Sequence, residues 1–174
     1  AEDGIRDVER SRGLGDVYKR QNNSSTGWFL MEGEESDSPR NYVLRITKEE
    51  WYRQVFSIKK YFPGISRKWE PGGIIFLARK AEKGDSLVGY GIVGEFVKRD
   101  LLPEDRRKEC ERMGWRGAII FSELYRINPP VQIKETILAA SKARGRCFHG
   151  YPLTKEQAES ILRTINEKAS LQKV

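Results

Sequence analysis

Two hydrophobic periodicities alternate along this chain. Tyr42, Val43, Leu44, Arg45 and Ile46 have strand composition. Thr47 followed by Glu50 has the spacing of a capping box, and Ile46 is placed to staple onto Trp51, so a helix is predicted over 48–56. Ile74 to Ala78 is an unbroken apolar run between Pro71-Gly72-Gly73 and Lys83-Gly84-Asp85, which suits a strand buried on both faces better than a five-residue helix. Over 87–97 apolar residues alternate with Gly89, Gly91 and Gly94, and strand glycines mark bulges, barrel bends or close approach. Pro103 and Gly114 bracket a charged helix through 105–112. Strand character returns over 115–125, Asn128-Pro129-Pro130 is predicted to end it, and a short element follows over 131–138. Thr154 with Gln157 forms a second capping box ahead of an apolar stripe, Ala158, Ile161, Leu162 and Ile165, on a closing helix. The predicted order is strand, helix, several strands with a helical insertion, and a last helix. Ile74, Phe76, Val88, Ile92, Ile119 and Phe121 are the expected core of the central strands.

Composition narrows the class. The 174 residues carry 32 Lys+Arg against 25 Asp+Glu, a formal charge of +7, with 38% hydrophobic and 33% charged residues. That is the profile of one soluble domain, and the charge admits a polyanionic partner. No apolar run approaches the roughly 20 residues of a membrane-spanning helix and no signal-peptide core is present, so a cytoplasmic protein is expected, without a membrane role. Cys110 and Cys147 lack disulfide-framework or zinc spacing and are expected to be reduced thiols.

Residues 1–21, AEDGIRDVERSRGLGDVYKRQ, resemble a translated sequencing adaptor: the first seven back-translate to a flow-cell primer and residues 11–21 to a transposon mosaic end. They are read as a non-native metagenomic library scar and set aside. Met31, the first methionine, is a candidate native start. Residues 22–40, acidic and without apolar periodicity, are read as a disordered leader, and 41–170 as one domain.

The chemistry legible in the sequence favours binding over catalysis. His149 is the only histidine, and neither cysteine has a catalytic context. Gly89, Gly91 and Gly94 spell GxGxxG inside a strand with no helix pattern behind it, so the helix N-terminus that dinucleotide binding needs is missing. Glu70, Asp85 and Glu95 are scattered carboxylates, expected to be solvated or ion-paired. No catalytic residue, metal or cofactor is assigned, and enzyme activity is left open but disfavoured. In contrast, Lys59, Lys60, Arg67 and Lys68 are interleaved with Tyr61, Phe62 and Trp69, and Lys142, Arg144 and Arg146 with Phe148, His149 and Tyr151. Cations alternating with stacking faces suit single-stranded or flipped nucleotides, although the same aromatics could equally plug the core.

Pro71-Gly72-Gly73-Ile74-Ile75-Phe76-Leu77, Leu87-Val88-Gly89-Tyr90-Gly91-Ile92-Val93, the 115–121 strand and Pro129-Pro130-Val131-Gln132-Ile133, in that order, resemble the EVE domain. EVE domains are PUA-like pseudo-barrels related to the YTH and ASCH domains. The resemblance, over about 41–165, implies an α/β (α+β) fold, a PUA-like mixed β pseudo-barrel with flanking helices. It further implies a pocket for a modified, extruded base. The family's W-x-G-V-R-N turn is similar to Phe62-Pro63-Gly64-Ile65-Ser66-Arg67, with Ser66 where the family has Arg; its K-S-E-P turn falls on Arg45-Ile46-Thr47-Lys48, keeping the cation only. The expected nucleic-acid and base-binding set is Arg45, Lys59, Lys60, Tyr61, Pro63, Gly64, Ile65, Ser66, Arg67, Lys68, Trp69, Tyr90, Arg144, Arg146 and His149, with Trp69 or Tyr61 stacking on the base. The expectation is a monomeric reader of modified DNA or RNA. An ASCH-like small nucleic-acid-processing hydrolase and a ligand-free interaction module are the alternatives.

Overall fold

A computed structural model describes residues 40–174, apart from Arg144 and the side chain of Arg146. The adaptor-like segment and the acidic leader up to residue 39 lie outside the described residues. Seven strands and three helices follow in the order β1 (Asn41–Arg45), α1 (Glu49–Ile58), β2 (Lys60–Tyr61), β3 (Ile74–Ala81), β4 (Gly84–Lys98), α2 (Glu104–Met113), β5 (Gly117–Gln132), β6 (Tyr151–Leu153), α3 (Lys155–Lys168) and β7 (Ser170–Lys173). Short 3-10 turns at Ile133–Glu135, Ile137–Ala140 and Gly145–Phe148 link β5 to β6. Hydrogen bonding orders the strands β2-β5-β4-β3-β1-β6, with β7 added to β5. β1 and β3 are parallel; the other pairs are antiparallel. This is the mixed α+β pseudo-barrel that the sequence predicted.

Strand periodicity explains why β1 and β3 carry unbroken apolar runs. Tyr42, Leu44, Ile75 and Leu77 pack with Val55 and Phe56 of α1 in one core, whereas Val43, Phe76 and Ala78 pack with Ala158, Ile161 and Ile165 of α3 in a second. Successive residues point to opposite faces, and here both faces are covered. Of the six expected core residues, Phe76, Val88, Ile119 and Phe121 are buried; Ile74 and Ile92, register partners, are only half-buried. The strand glycines serve packing. A Cβ on Gly89 would lie 2.6 Å from the Phe56 ring and 2.7 Å from the Tyr125 carbonyl, and one on Gly91 would lie 2.5 Å from the Phe121 ring. Aromatic rings therefore lie directly against the sheet where the GxGxxG spacing would have placed a phosphate.

Three local expectations are corrected. The first capping box does not form: the N-cap is Lys48, without a side-chain bond, so Thr47 lies one position outside the helix and Glu50 falls out of box spacing. Two first-turn glutamates, Glu49 and Glu50, face the positive helix end instead. Asn128-Pro129-Pro130 does not end the strand. Both prolines fall between Arg126 and Val131, where the register of β5 against β4 shifts, so the missing N–H groups cost no ladder bond there. Finally, Ser170–Lys173 forms an unforeseen strand on Tyr125–Asn128. The second capping box forms as predicted, with Thr154 and Gln157 bonding reciprocally.

Candidate nucleic-acid interface

The basic-aromatic segment separates into buried rings, the half-buried Lys59 and Lys60, and the exposed Arg67 and Lys68. α1 stops because Lys59 turns left-handed (φ 57°, ψ 37°), its amide still reaching the Val55 carbonyl. Lys60 and Tyr61 then pair with Ile120 and Ile119. That pairing sends Tyr61 inward: it is buried, and burial pushes its hydroxyl up to about 12. Phe62 stacks on Trp115 at 5.2 Å between ring centroids, and the Pro63 carbonyl accepts from the Arg116 amide at 2.8 Å. Gly64, Ser66, Arg67 and Lys68 are exposed, and Ile65 leans on the first core. Trp69 turns in again, 7% exposed, its ring edge-on to Tyr42 at 5.1 Å. Neither Tyr61 nor Trp69 offers a free face, so the expected stacking walls are core side chains in this fold. Tyr90 is half-buried and stacked on Tyr125 at 5.0 Å.

The Arg67 loop meets the turn before β6. Arg67 Nε donates to the Gly150 carbonyl at 3.0 Å and Nη1 donates to the Ser66 carbonyl at 2.8 Å, which fixes the guanidinium across the turn before β6. Gly150 is left-handed (φ +79°), and a Cβ there would lie 2.4 Å from Ile65 Cδ1 and 3.0 Å from Arg67 Nη2. Glycine is therefore what permits the contact. Its amide also bonds the Val43 carbonyl at 2.7 Å, tying the turn to β1. Beside it His149 Nδ1 accepts from the Arg45 amide at 3.0 Å, so the proton of the neutral ring sits on Nε2. Arg144, and the side chain of Arg146, lie outside the described residues.

Arg45 is not a free cation. Its Nε and Nη2 bind both oxygens of Asp85 at 2.8 and 3.3 Å, with side chains only 16% and 8% exposed. The pair lies against a cleft of about 570 Å³ between the β3–β4 hairpin and the 133–148 segment. Sequence reasoning missed this cleft, whose lining is gathered from residues far apart in the chain and which no local pattern marks.

His149 makes stability depend on pH. Burial first, then the charges of Arg67 and Arg45, hold its pKa below the ordinary 6.5. A depressed folded value means the unfolded chain takes up the proton first, so this contribution is complete above about 6.5 and is lost as pH falls through the folded value. We expect the thermal midpoint of the native chain to drop more between pH 7.5 and 5 than that of His149→Asn, which retains an acceptor for the Arg45 amide. Parallel midpoint curves would show that His149 is solvated.

The fold is a mixed α+β pseudo-barrel whose Arg67 loop docks on the turn before β6. The fold is similar to a solved ASCH structure from Zymomonas mobilis, with a TM-score of 0.52 at 15% sequence identity over 75% of this chain and 96% of that one. At this identity the likeness concerns the fold. No family model and no curated protein sequence matches the chain. Among the described residues, no cluster of three or more His, Cys, Asp or Glu is placed to hold a metal ion, and no helix is long and apolar enough to cross a membrane.

Proposed function

We propose that this chain is a nucleic-acid-binding module of the EVE branch of the PUA-like fold, a monomeric cytoplasmic reader that takes an extruded, modified base without altering it. The observation carrying this reading is the docking of Arg67 on Gly150, which brings the exposed Ser66-Arg67-Lys68 loop to the turn before β6. Residues 40–174 hold 27 Lys and Arg against 16 Asp and Glu, a net of +11, so the folded part is more basic than the chain as a whole. Lys59, Lys60 and Lys68 take phosphates. With Tyr61 and Trp69 buried, the planar guanidinium of Arg67, held by two carbonyls, is the stacking surface, as Arg planes are for unstacked bases. Ser66 and the backbone of Gly64 and Ile65 supply the edge contacts.

The test is a set of titrations with DNA and RNA oligonucleotides carrying methylated or hydroxymethylated bases, each beside its plain counterpart. If about four phosphates of a single strand are neutralised, log K should fall against log salt with a slope near −3. Arg67→Ala should lower the modified-to-plain affinity ratio, whereas Lys68→Ala should weaken both alike, because phosphate contacts carry no sequence information. A flat salt response would favour a protein-interaction module. Conversion of the modified base to a product would favour an ASCH-like hydrolase.

A further inference from the structure

We propose that the cleft bounded by the β3–β4 hairpin and the 133–148 segment is a nucleotide-binding site, separate from the Arg67 face. Its volume of about 570 Å³ lies within the range of small-ligand pockets, roughly 300–1,000 Å³. The lining has two chemically distinct parts. Ile133, Leu138 and Phe148, each no more than 4% exposed, close the cleft as an apolar floor, and the exposed Ala139 lies beside them. Lys80, Lys83 and Lys134 supply three ammonium groups, none of them ion-paired among the described residues, although five other cations are. Among the described residues Asp85 is the sole carboxylate lining the cleft, and Arg45 already holds both its oxygens. Three like charges converging on one cavity, with its carboxylate taken, make a positive potential that a phosphate dianion relieves.

Arg45 adds discrimination. Two of its five N–H donors serve Asp85, leaving donors for ring nitrogens or carbonyls at a base edge. A ligand matching apolar floor, donor fork and ammonium rim together is a base joined to a phosphate, as a free mononucleotide or as one nucleotide of a strand. Phe148 lines this cleft and Gly150, two residues on, receives Arg67, so a single turn separates the two sites. The choice of a nucleotide over other phosphorylated molecules rests on the nucleic-acid reading above.

Calorimetric titration of the full chain with nucleoside 5′-monophosphates, the matching nucleosides and inorganic phosphate tests the inference, with short oligonucleotides bearing or lacking a 5′-phosphate distinguishing free from strand-borne ligand. The monophosphate should bind at least about tenfold tighter than either nucleoside or phosphate, a difference of about 1.4 kcal/mol. Ala139 is exposed at the cleft, so Ala139→Trp should fill it and abolish mononucleotide binding while leaving oligonucleotide binding at the Arg67 face intact. Should that variant fail to fold, Lys83→Ser with Lys134→Ser, both exposed, should weaken the monophosphate and leave the nucleoside unchanged. Equal affinity for monophosphate and inorganic phosphate, or binding indifferent to both variants, would overturn the site. Mononucleotide binding without oligonucleotide binding would sustain the cleft and sink the modified-base reader; oligonucleotide binding sensitive to Arg67→Ala, with no mononucleotide binding, would do the reverse.

Discussion

Trp69→Ala is expected to lower the free energy of unfolding by about 3–5 kcal/mol and to leave the ratio of affinities for modified and plain oligonucleotides unchanged. The ring is 7% exposed, belongs to the core that joins β1, β3 and α1, and meets Tyr42 edge-on at 5.1 Å. The Tyr42 hydroxyl also accepts from the Lys68 amide at 3.3 Å, so the cavity would open at the foot of the exposed Ser66-Arg67-Lys68 segment. Urea denaturation gives the stability, and paired titrations on the folded fraction give the ratio. Trp69→Phe, which refills much of the volume, should recover most of the loss. An unchanged unfolding curve with a collapsed ratio would instead make Trp69 a wall of the base site.

Asp85→Ala should cost about 2 kcal/mol, because removing one partner strands a largely buried guanidinium whose two charge-assisted bonds are gone. The cleft admits some water, which holds the figure below that of a fully enclosed pair. Arg45→Met combined with Asp85→Leu should be milder than either single change, since two apolar side chains leave no unpaired charge. A double-mutant cycle in low and high salt separates these outcomes. Strongly salt-sensitive coupling would place the pair in solvent, and coupling that persists would place it inside the fold.

The helix α3 with its capping box, the Gly114 stop after α2 and the central runs of β3, β4 and β5 were legible because each is specified within a few residues, by a cap, a breaker or a period. The exposed cations Arg67 and Lys68 were legible for the same reason. Period and composition do not say that Tyr61, Phe62 and Trp69 turn inward: Tyr61 does so through the pairing of β2 with β5, and the other two through Trp115 and Tyr42, contacts no short window contains. The prolines of β5 were misread because a bulge against a distant strand removed their penalty. The Arg45–Asp85 pair spans 40 residues, the contact of Arg67 with Gly150 spans 83, and the Arg45 amide meets His149 across 104. By itself the sequence determined the main helices, the central strands, the mixed fold and the basic composition of the 59–68 segment. The tertiary structure alone decided which rings are core, which cation is neutralised and where a cleft opens, because burial and ion pairing depend on segments that only the closed sheet brings together.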